Sequence, residues 1–322
     1  MATRSFASLT LRGRARRLRA LALAALPAWP FRVRRMSLLS NSWNCVFRLE
    51  TDQGRFVLRV TLPGHGHTPA SVRAEAVFLS ALDGRLGAPA PVPTRNGRLA
   101  VSASVPGVPE ARMCAVYTWV PGADLGARVT PDRWAGLGEL MAQLHDFART
   151  FEPPKPFPIY DYDRVLHFPD EIVVWDAELF GHAPLFREAI TASNERIRTI
   201  RARDGVLVTH GDLHQWNVKA LRGVLRPIDF EDLMWAAPVQ DAATSLYYVS
   251  RRDDYAQLRD AFPEGYERRA PWVEGCRGEV DSLLFCRGLD LLNIIAGEPA
   301  FRTSDWRGFV ERIARLARLA VA

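Results

Sequence analysis

Thr209-His210-Gly211-Asp212-Leu213-His214-Gln215-Trp216-Asn217 is the stretch from which the fold of this 322-residue chain can be predicted. It follows residues 206–208, a short apolar run that predicts a buried strand ending at His210-Gly211. The glycine then favours a turn. The strand should therefore deliver Asp212 to a loop, where its carboxylate can meet a hydroxyl group.

A β-hairpin is predicted directly after this loop. Residues 218–221 form one strand, Arg222-Gly223 forms the turn, and residues 224–228 form the return strand. Because the two strands run side by side, the end of the return strand lies near the start of the first strand. We therefore expect Asp229 to emerge close to Asn217.

The polar residues of this region have the spacing of a phosphoryl-transfer site. Asp212 and Asn217 follow the D-x-x-x-x-N pattern of a kinase catalytic loop, in which the Asp takes or orients a hydroxyl and the Asn binds Mg²⁺. Asp229 is then the second metal ligand, since Mg²⁺ needs few protein oxygens when phosphate and water complete its shell. His-Gly-Asp alone is more often a turn after a strand, but the three polar elements together favour the kinase-like site.

These motifs resemble those of the aminoglycoside phosphotransferase and choline kinase family, in which H-G-D-x-x-x-x-N replaces the H-R-D-x-x-x-x-N of protein kinases. The continuations Pro227-Ile228-Asp229-Phe230-Glu231-Asp232 and Pro238-Val239-Gln240-Asp241 are most similar to the branch of homoserine kinase type II and the bacterial stress-response kinases. The resemblance runs from about Leu38 to Leu246. It implies Asp212 as the base, Asn217 and Asp229 as metal ligands, and Asp241 as a structural residue that braces the catalytic loop.

Length and composition fit the two lobes that this resemblance implies. The hydrophobic content of 48% is enough to form a core in each lobe. We predict a two-lobed, protein-kinase-like α+β fold. Residues 1–119 form an N-terminal nucleotide-binding lobe, with an antiparallel sheet and one main helix. Residues 120–322 form a mostly helical C-terminal lobe for catalysis and substrate binding.

The distribution of charge and the cysteine content indicate which partners and which cellular compartment to expect. The net charge is +6, but the first 40 residues hold nine arginines and no acid, so the rest of the chain is slightly acidic. This distribution argues against a nucleic-acid groove. Four cysteines without a C-x-x-C pair favour a reduced, cytoplasmic setting. The absence of an apolar run of about 18 residues argues against a membrane partner.

The arginine-rich start of the chain, residues 1–30, reads as a basic amphipathic helix. A secretory signal or transit peptide is the alternative, because the segment lacks acids. Pro27 and Pro30 would end a helix that packs on the first lobe. The residues predicted on its apolar face are Leu11, Leu18, Leu21, Ala22 and Ala25.

The next segment predicts the phosphate-binding part of the N-terminal lobe. Residues 33–39 and 44–50 read as strands joined by Ser40-Asn41-Ser42-Trp43, where a protein kinase has its phosphate-covering loop. No G-x-G-x-x-G is present. Small polar residues such as Ser42 can nevertheless offer backbone N–H groups to phosphate.

Arg59, in a third strand over residues 55–60, stands where kinases have the lysine of V-A-I-K. An arginine can neutralise phosphates and pair with a carboxylate, although its planar guanidinium has a different geometry. The expected partner is Glu75, on a helix over residues 71–82. An unrelated surface Arg and Glu is the alternative.

Residues 113–119 predict an apolar strand that stops at Val120-Pro121-Gly122. By resemblance this segment is the hinge, where adenine would bond to the backbone near Thr118 and Val120. The second lobe is predicted to contain helices over residues 132–147, 183–203, 255–262, 281–295 and 304–319.

The expected activity is transfer of the γ-phosphoryl of ATP or GTP, with Mg²⁺, to a hydroxyl of a small molecule. Glu231 and Asp232 favour a cationic acceptor such as an aminoglycoside, an amino alcohol or a homoserine-like compound. A solvated acidic turn and extra metal coordination are alternatives for these two residues. Trp216 either stacks on the acceptor or packs under the loop. A stress-response type of protein Ser/Thr kinase and a non-catalytic nucleotide-binding regulator are the rival functions.

Overall fold

The structure, a computed structural model, describes residues 5–41, 44–62, 68–166, 176–276, 278–297 and 304–322. The chain forms two compact units. Unit 1 consists of Met1–Pro121 and Pro153–Pro158, and unit 2 of Gly122–Glu152 and Ile159–Ala322. The boundary predicted between residues 119 and 120 lies two residues before the end of the first segment of unit 1.

Unit 1 contains a five-stranded antiparallel sheet with the strand order β1-β2-β3-β5-β4. Its elements are α1 (Leu11–Ala25), β1 (Val33–Asn41), β2 (Cys45–Thr51), β3 (Gly54–Val60), α2 (Pro69–Leu82), β4 (Ala100–Ala103) and β5 (Arg112–Thr118). The alternating burial of β2 shows one face turned to the core. The predicted antiparallel sheet is therefore present, with α2 as the predicted helix.

Helix α1 packs its apolar face into the core of unit 1, next to side chains of the sheet. Its buried residues are Ala15, Leu18, Leu21, Ala22 and Ala25. The prediction was wrong for Leu11, which is 44% exposed. Leu11 is the first residue of the helix and lies one turn before Ala15, where burial begins. Its carbonyl accepts a hydrogen bond from Asn41 Nδ2 at 2.8 Å.

Unit 2 is mostly helical, as predicted, with two small three-stranded sheets of order β10-β9-β6 and β7-β11-β8. Its elements are β6 (Ala123–Asp124), α3 (Pro131–Thr150), β7 (Tyr160–Asp161), α4 (Ala183–Asp204), β8 (Leu207–Thr209), β9 (Val218–Leu221), β10 (Val224–Pro227), β11 (Met234–Ala236), α5 (Pro238–Tyr247), α6 (Tyr255–Tyr266), α7 (Glu279–Gly297) and α8 (Trp306–Val321). In the parts of the chain that the structure describes, no helix is long and apolar enough to cross a bilayer.

Two elements beside the predicted loop differ from expectation. Strand β8 begins at Leu207, and Val206, which was assigned to the strand, is 42% exposed. Helix α5 was not predicted. Nine of its ten residues are buried, and these include the polar Gln240, Asp241, Thr244 and Ser245, so polarity does not mark the exposed side of this helix. The predicted hairpin is present as β9 and β10, with Leu221 opposite Val224.

Helices α3 and α6 pack unusually close because glycine lies at their contact. A Cβ atom on Gly265 would lie 1.7 Å from the carbonyl oxygen of Ala135, and one on Gly138 would lie 2.1 Å from that of Phe262. Both obstacles are backbone atoms, which cannot move aside without shifting a helix. The close approach holds Trp134 against Phe262, with ring centroids 5.7 Å apart.

We predict that Gly265→Ala destabilises the protein, because the added methyl group must separate α3 from α6. Overpacking of this kind costs about 1–3 kcal/mol of unfolding free energy. Gly297→Ala is the matched control, since nothing lies within 4 Å of its added Cβ. Thermal unfolding should show a clear loss for Gly265→Ala alone. Equal melting temperatures for the two variants would contradict this account of the packing.

Candidate active site

His210 makes two hydrogen bonds at the start of the catalytic loop. Its Nδ1 lies 3.4 Å from the backbone N–H of Asp212 and accepts that hydrogen bond, so Nε2 carries the proton and donates to the carbonyl of Ile228 at 3.1 Å. Burial lowers the pKa of His210, more than nearby carboxylates raise it. The neutral imidazole thus ties the loop to the end of the hairpin, directly before Asp229.

Gly211 permits a very close approach between two segments of the site. Its φ of +77° lies in the left-handed region, and a Cβ atom there would be 2.0 Å from the carbonyl oxygen of Asp232. Any side chain at this position would therefore meet both backbone strain and a collision. The glycine lets the loop lie directly against the segment that follows Asp229.

Asp241 braces the catalytic loop from α5, as the resemblance implied. Its Oδ1 accepts a hydrogen bond from Gly211 N at 3.0 Å, and its Oδ2 lies 3.1 Å from His145 Nε2. The other nitrogen of His145 is 2.8 Å from the hydroxyl of Tyr266. Asp241 and His145 are both almost fully buried. His145 is therefore part of the support of the loop.

Asp212 is held by four side chains. Its Oδ1 accepts from Arg287 Nη2 and from the Tyr248 hydroxyl, each at 2.7 Å. Its Oδ2 lies 3.1 Å from Asn217 Nδ2 and 3.3 Å from His214 Nε2. Burial alone would raise the pKa of Asp212, but the charge of Arg287 and the hydrogen bonds from His214 and Tyr248 hold that pKa well below its usual value. The carboxylate is therefore ionised at neutral pH.

The contacts around His214 define which proton it carries. The backbone N–H of Trp216 donates to His214 Nδ1 at 3.0 Å, so the protonated Nε2 faces Asp212. The His214 ring also lies against Tyr248, with centroids 3.9 Å apart. Trp216 itself is 53% exposed, which excludes the predicted alternative that it packs under the loop. Its indole lies beside Gly126.

Asn217 and Asp229, the predicted metal ligands, lie on joined backbone segments. Asn217 Nδ2 donates to Asp212 at both the backbone oxygen (2.9 Å) and Oδ2 (3.1 Å), which leaves the amide oxygen as the group able to bind a metal. The Asn217 carbonyl accepts from Ile228 N at 2.9 Å, next to Asp229. Asp229 is exposed and has a φ of +65°. One amide oxygen and one carboxylate suit Mg²⁺.

Unit 1 contains the predicted pair of Arg59 and Glu75. Arg59 Nη1 donates to Glu75 Oε1 at 2.9 Å, and Nη2 donates to Oε2. The hydroxyl of Tyr117 accepts from Arg59 at 3.1 Å and donates to Glu75 Oε2 at 3.1 Å. The pairing of Arg59 with Glu75 is therefore confirmed, in a buried site with a third member that the sequence did not indicate.

The other predicted nucleotide contacts remain predictions. Ser42 lies outside the described residues. The backbone N–H of Thr118 donates to the carbonyl of Ala90 at 2.9 Å, so this donor is already used within unit 1. Val120 is buried, with 7% of its surface exposed.

Sequence reasoning missed Arg287 and Tyr248, although both contact the proposed base. Arg287 lies on α7, 75 residues after Asp212, and belongs to no motif. One signal was available, since Arg287 interrupts the apolar run Leu283-Leu284-Phe285-Cys286. A charged residue in a buried helix needs a partner of opposite charge, but the sequence does not indicate which carboxylate it is.

Comparison with known proteins identifies the family. Residues 37–276 match the sequence model of the phosphotransferase enzyme family. The match covers more than half of the chain, and the chain belongs to this family. The comparison with curated protein sequences finds no match.

Solved structures of kinases have the same fold. A microcompartment-associated aminopropanol kinase shares 20% identity and a TM-score of 0.71, over 94% of this chain and 95% of that chain. The amicoumacin kinase hAmiN, in complex with AMP-PNP, Ca²⁺ and Ami, shares 14% identity and a TM-score of 0.71, over 94% and 93%. An ethanolamine kinase of Plasmodium vivax shares 13% identity and a TM-score of 0.56, over 88% and 81%.

These findings confirm the predicted family and the kinase-like α+β fold. The protein is a phosphotransferase with a hydroxyl group as acceptor.

We predict that Gly211→Ala abolishes most phosphoryl transfer, because the added Cβ must push the catalytic loop away from Asp232. Gly223→Ala is the matched control: its φ of +81° is equally unfavourable, but nothing lies within 4 Å of the added atom. Turnover and melting temperature should be measured for both variants. If Gly223→Ala loses as much activity as Gly211→Ala, backbone strain alone explains the effect and the close approach is unimportant.

Proposed function

We propose that this protein transfers the γ-phosphoryl group of ATP or GTP to a hydroxyl of an amine-bearing small molecule. The acceptor classes are aminoglycosides, amino alcohols and homoserine-like compounds. The observation that carries the proposal is the ionised Asp212, hydrogen-bonded to Asn217, whose backbone is in turn bonded to the residue before Asp229. This arrangement supports a hydroxyl-binding role for Asp212 and metal-binding roles for Asn217 and Asp229.

Asp212 orients the acceptor hydroxyl and receives its proton. Its lowered pKa makes it a weak base, so it does not remove the proton before the reaction starts. In a loose transition state the bond to the nucleophile forms late, and the hydroxyl becomes acidic only as that bond forms. Asp212 therefore contributes first by holding the oxygen in line and then by accepting the proton.

Asn217 and Asp229 would hold Mg²⁺ through the amide oxygen and the carboxylate. The metal supplies neutralisation of charge on the phosphate oxygens when it is bound. The hydrogen bonds from Asn217 Nδ2 to Asp212 fix the amide orientation, so the oxygen cannot exchange places with the nitrogen. The bond between Ile228 N and the Asn217 carbonyl keeps the second ligand near the first.

Arg59 would neutralise phosphate groups that are not transferred. Glu75 and Tyr117 hold the guanidinium in one orientation, and a fixed guanidinium can bind phosphate oxygens with little loss of entropy. Because the N–H of Thr118 is already used, the adenine or guanine base would bond to other backbone groups near Val120. Ser42 stays in the proposal as a backbone donor to phosphate.

The charges near Asp212 support a cationic acceptor. Burial lowers the pKa of Arg287, but Tyr248 and the carboxylates of Asp212, Asp290 and Asp232 raise it well above its usual value. Three carboxylates thus act on a single guanidinium, and the excess of negative charge would attract an ammonium group. The names of the aminopropanol and ethanolamine kinases of similar fold agree with this class of acceptor.

A protein-kinase activity is less well supported. The segment after Asp229 is occupied by β11 and the start of α5, so a long regulated loop does not fit before Asp241. The compartment that we propose is the cytoplasm. The buried free thiols of Cys45, Cys114 and Cys286 support it, because free thiols suit a reducing compartment.

We predict nucleotide consumption with Mg²⁺ only when a suitable acceptor is present. The panel should contain aminoglycosides, amino alcohols, homoserine, choline, and diols that match the amino alcohols but lack the amine. Amine-bearing acceptors should give the higher kcat/KM. Asp212→Asn should lower kcat by about 10²–10⁴-fold, the usual contribution of a positioned base, while nucleotide binding persists. Unchanged turnover in Asp212→Asn would refute the role of this residue.

A second prediction concerns Arg59. In Arg59→Lys the charge remains but the guanidinium loses its two-point geometry, so the KM for the nucleotide should rise about tenfold, as for one lost hydrogen bond of about 1.5 kcal/mol. The KM for the acceptor should not change. Arg48→Lys, in the half-exposed ion pair with Glu50 on β2, is the control. If Arg59→Lys changes the melting temperature but neither KM, the residue is structural only.

A further inference from the structure

In the described part of the chain, four donor side chains lie within 3.3 Å of the carboxylate oxygens of Asp212. Each oxygen has two donors, at 2.7 and 2.7 Å for Oδ1 and at 3.1 and 3.3 Å for Oδ2. A carboxylate oxygen has two lone pairs, so both are saturated. A hydroxyl that binds to Asp212 must therefore displace one of these donors, and the structure indicates which oxygen it can reach.

Tyr248 holds Oδ1 from the end of α5. The same helix contributes Asp241, which accepts from Gly211 N at 3.0 Å. Helix α5 thus holds two consecutive residues of the catalytic loop, Gly211 through its backbone and Asp212 through its side chain. The orientation of Tyr248 is fixed further by its ring contact with His214.

Arg287, on α7, donates a hydrogen bond to Oδ1 of Asp212, and both terminal nitrogens of its guanidinium have acceptors. Its Nη1 donates to Asp290 Oδ2 at 2.9 Å, one helical turn further on. Its Nη2 donates to Asp212 Oδ1 at 2.7 Å and to the Tyr248 hydroxyl at 2.8 Å. The guanidinium also lies over the Tyr248 ring, 5.6 Å from its centroid. Arg287 and Tyr248 therefore support each other as well as Asp212.

Displacing either donor from Oδ1 would be costly. Removing Arg287 from Asp212 breaks an ion pair in which both side chains are at most 13% exposed, and a buried charge without its partner costs several kcal/mol. The donors on Oδ2 are different: His214 is neutral when its Nδ1 accepts from Trp216, and it lies farthest from the carboxylate. A hydroxyl can take the place of His214 at much lower cost.

We propose that Arg287 and Tyr248 are positioning residues that hold Oδ1 of Asp212 in place, so that Oδ2 is the oxygen that meets the acceptor hydroxyl. This inference rests on the proposed function, in which Asp212 orients that hydroxyl. Its effect is geometric: a carboxylate held at one oxygen cannot rotate, and a displacement of about 1 Å of a catalytic group can cost about a hundredfold in rate.

Tyr248→Phe is the first test, because it removes only the hydroxyl group. We expect kcat to fall about 10–100-fold, with the KM for the nucleotide within about twofold of the wild-type value. Tyr247→Phe is the matched control, since Tyr247 is the adjacent residue and has no contact with Asp212 among the described hydrogen bonds; it should leave kcat unchanged. Thermal unfolding separates the loss from damage to the fold.

Arg287→Lys and Arg287→Met form the second test. The lysine keeps the charge but cannot bond to Asp212, Tyr248 and Asp290 together, so its kcat should lie between those of the wild type and the methionine variant. The methionine variant removes the cation that pairs with Asp212 and can fail to fold. Tyr248→Phe and Arg287→Lys still test the proposal in that case.

A double-mutant cycle distinguishes positioning from structural support. If Tyr248 acts through Asp212, Tyr248→Phe has little further effect on the residual kcat of Asp212→Asn, measured at high enzyme concentration. If Tyr248 only supports the fold, the two losses multiply, which overturns the proposal. Wild-type kcat in both Tyr248→Phe and Arg287→Lys also overturns it.

The cycle also separates this inference from the proposed function. Full activity in Asp212→Asn refutes the proposed function itself. An inactive Asp212→Asn combined with fully active Tyr248→Phe and Arg287→Lys refutes only the positioning role.

Discussion

The buried negative charge of Asp212 is the constraint on which the organisation of unit 2 depends. A carboxylate removed from water must be paired and hydrogen-bonded, or it takes up a proton. The partners come from distant parts of the chain: His214 and Asn217 from the loop itself, Tyr248 from the end of α5, and Arg287 from α7. Helices far apart in sequence are thereby required to meet at one carboxylate.

Two other buried carboxylates are also paired and hydrogen-bonded, one beneath the catalytic loop and one in unit 1. Asp241 receives the Gly211 N–H and faces His145, whereas Glu75 pairs with Arg59. Buried ion pairs are weak contributors to net stability, because desolvation offsets much of the attraction. Their value here is geometric. Each fixes the orientation of a group in the candidate site, and removing one partner would release that group.

Much of the local structure was predictable from the sequence because it depends on neighbouring residues. The hairpin of β9 and β10 follows from a turn between two short apolar runs, whereas the pairing of Arg59 with Glu75 was expected from the resemblance to the strand lysine and helix glutamate of kinases. The errors also have physical causes. Leu11 has the right helical period but lies beyond the buried part of α1, and α5 buries polar as well as apolar residues, which departs from the usual rule that polar residues face the solvent.

The sequence by itself determined which chemical groups stand at the site and in what order. The spacing of Asp212, Asn217 and Asp229 is local, and a strand, loop and hairpin are enough to bond Asn217 to Asp212 and to bond the Asn217 carbonyl to Ile228, the residue before Asp229. Only the tertiary structure decided how Asp212 is held, because Arg287 lies 75 residues away on a helix with no motif. Tyr248 and Arg287 meet because α5 packs against α7. No fixed spacing in the sequence marks such a pair, so the contact can be recognised only in the folded chain.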